Sequence, residues 1–242
     1  MRAARIVSTL ILTAHGSRNP RSAANTRAVA GHLRRLAPDV DVRVAFCEQS
    51  SPNLRDVLGE VRAGDVTVVP FLLASAYHAR IDIPAVIAEA GAPVTQAAAL
   101  GEDDRLLHVM GERLRALGVS RFDAELGVLV VAVGSSNPAA NARTSQVGTR
   151  LARGTRWAGV EVCYATGPVP SVPEAAERLR MRGATRLAIA PWFLAHGRIT
   201  DGVADYARRD GIPMAEPLGA HRLVAATVLD RYEEALAREL AA

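Results

Sequence analysis

Short apolar runs alternate along this chain with longer stretches in which apolar residues recur at helical spacing. Residues 6–14 read as a buried strand, and 20–37 as a helix with Ala23, Val29, Leu33 and Leu36 roughly on one face. Residues 41–47, DVRVAFC, form a second strand ending at Glu48; Pro52 opens a helix to about Arg62, and 66–73 is a third strand. Asp82 is placed to cap a helix that accepts Pro84 in its first turn and stops near Gly91. A short strand near 93–98 and a helix over 102–117 follow. Strands alternating with helices over short connections predict a parallel sheet with helices on both faces.

The pattern then restarts. Leu126 to Val133 is again a strand, and Gly134-Ser135-Ser136-Asn137-Pro138 repeats Gly16-Ser17-Arg18-Asn19-Pro20 at four of five positions, 118 residues on. Val160–Tyr164 repeats the second strand, and Leu187–Leu194 repeats Val68–Leu73 at an offset of 121. Ile212-Pro213-Met214 matches the short fourth strand and 219–240 the last helix. The expected fold class is α/β, with two similar domains related by internal duplication, each a small parallel sheet with helices on both faces. The expected boundary lies near Gly118 to Glu125, giving domains 1–122 and 123–242.

Composition narrows the field. With 49% hydrophobic and 22% charged residues the chain is ordinary for a globular protein. Its 29 basic residues are all arginine, and the net charge of +4 favours an anionic ligand. Aromatics are only 4%, and no basic run interleaves with them, which argues against nucleic acid as a partner. No apolar stretch is long enough to span a membrane. Arg2 and Arg5 before an apolar run faintly imitate a leader, but the matching strand of the second half is internal, so the run reads as a strand. Cys47 and Cys163 belong to no CxxC pair, and a reducing, cytoplasmic setting is expected.

The stretch Val68 to Pro84, VVPFLLASAYHARIDIP, runs from a buried strand through small residues to His78. Leu10 to Pro20, LILTAHGSRNP, runs from a strand straight into His15. His15, Glu48 and His78 all fall at or just past the carboxyl ends of the first three strands, the edge where open α/β sheets hold their ligands. Two imidazoles and a carboxylate suit a divalent first-row metal such as Fe2+, Co2+, Ni2+ or Zn2+, with positions left open for exchange. In the second half His15 meets Val133, Glu48 meets Thr166, and His78 meets Ile199 or Thr200. One working site on the first half is the economical reading, with the second half kept as a wall or clamp. Gly16 and Ser17 also suit a helix cap. Arg18, Arg21 and Arg80 flank the expected pocket and could pair with carboxylates. His196 lies in a second-half loop, whereas His32, His108 and His221 read as surface residues of helices, and both cysteines as small buried hydrophobes.

Together the segments TAHGSR, AFCEQSSP and VPFLLASAYHARIDIP resemble the sirohydrochlorin chelatase family, the small class II chelatases, whose longer members carry two fused chelatase-like domains. The family segment usually has Gly two residues before the third-strand histidine, where this chain has Ala76. The resemblance implies insertion of Fe2+ or Co2+ into sirohydrochlorin, a carboxylate-rimmed tetrapyrrole, toward sirohaem or cobalamin; relatives insert Ni2+. It implies no cofactor beyond that substrate metal, and no ATP. It maps the metal-handling histidines onto His15 and His78 and the acidic residue onto Glu48, as ligands and as base. Ser17, Arg18 and Arg80 are then expected to bind substrate.

Two other readings are weighed. Phosphohistidine-type phosphatases carry Arg directly before the histidine, where this chain has Ala14. A non-catalytic metal or tetrapyrrole carrier would use the same ligands as an inserting enzyme. Two units in one chain imitate a homodimer of single units, so a monomer of pseudo-dimeric architecture is expected.

Overall fold

The computed structural model describes residues 8–61, 65–74, 78–91, 93–167 and 169–241. They divide into two compact units, the first formed by Met1–Gly101 with Ala220–Ala242, the second by Glu102–Gly219.

The first unit is built on a parallel sheet of β1 (Thr9–Ala14), β2 (Asp41–Phe46), β3 (Val66–Pro70) and β4 (Val94–Gln96), in the order β2-β1-β3-β4. Central β1 is buried along its whole length, as its unbroken apolar run requires. Successive side chains point to opposite faces. Ile11 and Val68 pack with Leu54, Val57, Leu58 and Ile83 from α2 (Leu54–Glu60) and α3 (Ile83–Ala90). The opposite face is covered by α1 (Pro20–Leu36) and α8 (Arg222–Leu240).

The second unit repeats the plan with β5 (Leu126–Ala132), β6 (Gly159–Tyr164) and β7 (Arg186–Pro191) in the order β6-β5-β7. The expected fourth strand is here a single bridge between Ile189 and Met214. One face carries α6 (Val172–Met181) and α7 (Arg198–Arg209), with Val172, Leu179 and Val203 in the core. The other carries α5 (Pro138–Leu151) and α4 (Asp104–Ala116).

The compact units differ from the expected sequence halves 1–122 and 123–242, because the last helix of each half belongs to the other unit. Helix α4 buries Leu106, Val109, Met110 and Leu114 in the second unit, and Arg113 donates to the Leu218 carbonyl at 3.0 Å. Helix α8 buries Val224, Val228 and Tyr232 in the first, where Thr95 donates to Glu239 at 2.9 Å and Arg231 to the Leu100 carbonyl at 3.2 Å. An amphipathic pattern states that a helix has an apolar face, not which sheet it covers.

Three local expectations also change. The third strand stops at Pro70, where the ladder loses its N–H donor; the Phe71 amide still reaches the Thr13 carbonyl at 2.7 Å before the chain turns away. Asp82 is not a side-chain cap: it has helical dihedrals and ends a π-helical turn, His78–Asp82, that leads directly into α3. Pro84 does sit in the first turn of α3. Likewise α2 starts at Leu54 behind the N-cap Asn53, not at Pro52, whose carbonyl accepts from the Phe46 amide at 3.0 Å.

Val228→Asp places an unpaired charge in the first unit's core, at a cost on the order of 3 kcal/mol or more. Limited proteolysis of this variant is expected to cleave first within residues 8–101; first cleavage within 126–219 would contradict the helix exchange.

Candidate functional site

His15 follows the last residue of β1, and Glu48 lies two residues past the end of β2. These strands pair in parallel with Ala14 opposite Phe46, so both loops leave the same carboxyl edge. The ladder continues into the loops, with the Cys47 amide bonded to the Ala14 carbonyl and the Glu48 amide to the His15 carbonyl, both at 3.0 Å. The backbones then come closer than side chains allow. Gly16 has φ +98°, and a Cβ there would lie 1.7 Å from the Glu48 carbonyl oxygen. Only glycine supplies both the left-handed dihedral and the space.

Beyond this contact the loops are tied by polar groups. Ser50 Oγ accepts from the Ser17 amide at 3.1 Å and donates to the Ser17 carbonyl at 3.0 Å. Asn53 Nδ2 donates to the Cys47 carbonyl at 3.1 Å while its Oδ1 caps α2. Gln49 takes φ +57°, uncommon for a residue with a side chain, and its side-chain Nε2 donates to Glu48 Oε1 at 2.9 Å. Helix α1 is capped by Asn19 rather than by Gly16 or Ser17, and Ser17 Oγ accepts from the Asn19 amide at 3.1 Å. Gln49, Ser50 and Asn53 were missed by sequence reasoning. Only Asn53, standing just before an apolar helical stretch, carried a readable signal.

The outcome is an imidazole–carboxylate pair, His15 Nε2 to Glu48 Oε1 at 3.2 Å, with the side chains 38% and 52% exposed. That spacing has chemical meaning. Two donors each about 2.1 Å from one ion, in neighbouring positions, are separated by roughly 3.0–3.4 Å. The pair is therefore already at a distance at which both could hold one metal. His78 opens the π-helical turn after β3, the strand on the other side of β1; its side chain, like residues Ser75 to Tyr77, lies outside the described residues. Among the described residues no group of three or more His, Cys, Asp and Glu side chains is gathered for a metal. Arg18 and Arg80 are exposed and pair with none of the described residues.

A cleft of about 490 Å³, mouth included, lies beside Glu48 and is lined by Cys47, Leu54, Asp82, Ile83 and Val86. Burial, then the charges of Asp82 and Glu48, push the Cys47 thiol up to about 11. Cys163, fully buried in the second unit, is pushed up to about 12 by burial and Glu161. Both thiols are free.

The second unit has the same loop frame without the donors. The Ala165 amide bonds to the Ala132 carbonyl at 2.8 Å, and the Thr166 amide to the Val133 carbonyl at 2.9 Å. These bonds place Val133 at the position of His15 and Thr166 at that of Glu48. His196 instead pairs with Glu216 at 2.8 Å. Of the remaining histidines, His32 meets Arg35 and His108 meets Glu112 on helix surfaces, while His221 is the N-cap of α8, accepting from the Leu223 amide at 3.2 Å.

Fold and site thus define a two-unit α/β protein with an imidazole–carboxylate pair at the carboxyl edge of one sheet. The chain belongs to the CbiX family, whose profile matches residues 9–117 and 127–235. It is 26% identical to a sirohydrochlorin cobaltochelatase of Priestia megaterium over 97% of this chain and 82% of that one. It is also 26% identical to a sirohydrochlorin ferrochelatase of the same organism, over 81% of this chain and 76% of that one. Its fold matches the solved structure of SirB from Bacillus subtilis with Fe3+ at a TM-score of 0.83, with 20% identity over 97% of this chain and 98% of that chain. No described helix is long and apolar enough to cross a membrane.

Gly16→Ala is expected to disorder the His15–Glu48 pair and to lower the melting temperature, since strain and clash fall on the same residue. A melting curve unchanged from wild type would contradict the close approach. In native protein at pH 8 the Cys47 thiolate should be more than about a hundredfold scarcer than that of a free cysteine. Its alkylation rate should therefore rise about tenfold per pH unit up to about pH 11.

Proposed function

We propose that this protein is a sirohydrochlorin chelatase that inserts Fe2+ or Co2+ into the tetrapyrrole. The observation that carries the reading is the His15–Glu48 pair at 3.2 Å on the carboxyl edge of the first sheet, together with relatives that carry chelatase names over most of their length. The metal is a substrate and must be held loosely enough to leave. Exchangeable imidazole and carboxylate donors suit Fe2+ and Co2+ alike.

In this reading His15 Nε2 and Glu48 Oε1 hold the ion, with His78 as a further ligand. Insertion also requires the macrocycle to lose its two pyrrole protons. Glu48 is the base, taking a proton directly or through water, and the Gln49 amide on Oε1 holds the carboxylate in place. Arg18 and Arg80, both exposed, bind rim carboxylates of the substrate. Ser17, whose oxygen already accepts from Asn19, has its O–H left to donate to another. The binding energy released on metallation itself drives the reaction, and no nucleotide is needed. Two free thiols fit a reducing, cytoplasmic setting. Because one chain already holds two units, the protein is a monomer in solution, and light scattering should return a mass near 25.6 kDa.

The test is anaerobic mixing of the protein with sirohydrochlorin and Co2+ or Fe2+, followed by absorbance against a no-enzyme control. Multiple turnovers faster than the control are expected. Binding without acceleration would make the protein a carrier instead. His15→Ala should lower the metallation rate about 10- to 100-fold through lost metal affinity. Glu48→Gln should lower it by about a hundredfold or more, through the loss of a base. A wild-type rate in either variant would remove that residue from the mechanism.

A further inference from the structure

The loops that follow β7 and the Met214 bridge bring a second imidazole beside a carboxylate. His196 lies five residues past Pro191, the end of β7, and Glu216 two residues past Met214. Met214 pairs in parallel with Ile189, so both segments leave the same edge of the second sheet. Backbone bonds knit them together. The Ala215 amide reaches the Ile189 carbonyl and the Leu218 amide the Phe193 carbonyl, both at 2.9 Å, and the Gly219 amide reaches the Leu194 carbonyl at 3.0 Å. Thr200 Oγ1 donates to the Ala195 carbonyl at 3.3 Å and holds the chain on the other side of the imidazole. The two side chains meet across this seam, His196 Nε2 to Glu216 Oε2 at 2.8 Å, 32% and 72% exposed. No described arginine pairs with Glu216. The first unit makes the matching bonds, Ala97 to Val68 and Leu100 to Leu72, both at 2.9 Å, but its sequence has Ser75 and Ala98 at these two positions.

We propose that His196 and Glu216 form a second site for a divalent first-row cation, held wholly within the second unit. The donor types suit Fe2+, Co2+, Ni2+ or Zn2+. Two donors each about 2.1 Å from one ion, in neighbouring positions, are roughly 3.0 Å apart. The pair therefore opens by only a few tenths of an ångström to take the ion. The cation replaces the proton that imidazole and carboxylate share: Nε2 releases that proton to water and turns its lone pair on the metal. Among the described residues no third His, Cys, Asp or Glu side chain joins the two, so water fills the other positions and the ion stays exchangeable. The fixed backbone under both donors sets this pair apart from a chance surface contact, because little freedom is lost when the ion binds. His108 and Glu112 give the contrast. They stand 3.2 Å apart, one turn from each other on α4, and Arg115 pairs with the same Glu112 oxygen at 3.9 Å. The proposal does not rest on the chelatase reading, which uses His15, Glu48 and His78.

The experiment titrates Co2+ into the full-length His15→Ala/His78→Ala protein, which lacks the first unit's candidate ligands, and follows the imidazole resonances of His32, His108, His196 and His221 by NMR. His196→Gln in the same background assigns the signal of interest. The paramagnetic ion is expected to broaden His196 at a concentration about tenfold or more below the one that broadens His108. Glu216→Gln, which can keep a hydrogen bond to the imidazole but loses the charge, is expected to raise that concentration about tenfold or more. It should leave the melting temperature and the other three signals at their previous values. If the double variant does not fold, the same comparison of His196 with His108 is made in the wild-type protein. His196 and His108 broadening together would make the pair an ordinary hydrogen bond and overturn the proposal. Early broadening of His196 that Glu216→Gln leaves unchanged would remove the carboxylate from the site and overturn it as well. Either result would leave the metallation assay, and the chelatase reading it tests, unaffected.

Discussion

The candidate site depends on one close approach. The Glu48 carbonyl occupies the place that a side chain at residue 16 would need, 1.7 Å from an ideal Cβ. Because Gly16 leaves that place empty, the loop after β1 and the loop after β2 run side by side for one more rung than their strands do. His15 and Glu48 are neighbours on that extra rung, and their side chains meet at 3.2 Å. The rest of the local structure supports the approach. Ser50 clasps Ser17 through two bonds, Asn53 holds the Cys47 carbonyl, and Gln49 accepts a left-handed dihedral to make the turn. The same glycine recurs at Gly134 with φ +97°, so the second unit has the frame without the donors.

That separation of frame from chemistry runs through the whole chain. Strand registers, loop bonds and left-handed glycines repeat closely, since each is imposed by backbone geometry that any similar sheet must satisfy. What projects from the frame changes freely, because an exposed loop side chain contributes little to stability. At matching positions one edge therefore carries an imidazole and a carboxylate, and the other carries valine and threonine.

Much of this was legible in the order of residues. The strands β1 and β5 were readable as mainly apolar runs, and β2 and β6 as shorter alternating stretches, each bounded by turn residues. The repeat was readable because GSRNP and GSSNP preserve the glycine and asparagine that the turn and the α-helix cap require. Asp82 misled, since a capping residue and a residue inside a continuous helical turn look alike when the preceding π-helical turn is invisible in sequence. Pro52 misled in the same way: proline suits a helix start, but here its carbonyl was needed to close the strand edge. Gln49 and Ser50 gave no signal, because their roles arise only when two loops distant in sequence lie side by side.

The amino-acid sequence by itself determined the alternation of strands and helices, the duplication, and the placement of His15 and Glu48 at strand ends, because periodicity and turn chemistry are local properties. Tertiary structure alone decided which sheet each terminal helix covers, since Leu106, Met110, Val228 and Tyr232 need only some apolar partner and not a particular one. It also decided that His15 and Glu48 meet at ligand spacing. That distance is set by the approach of two backbones separated by a whole helix, which no local pattern records.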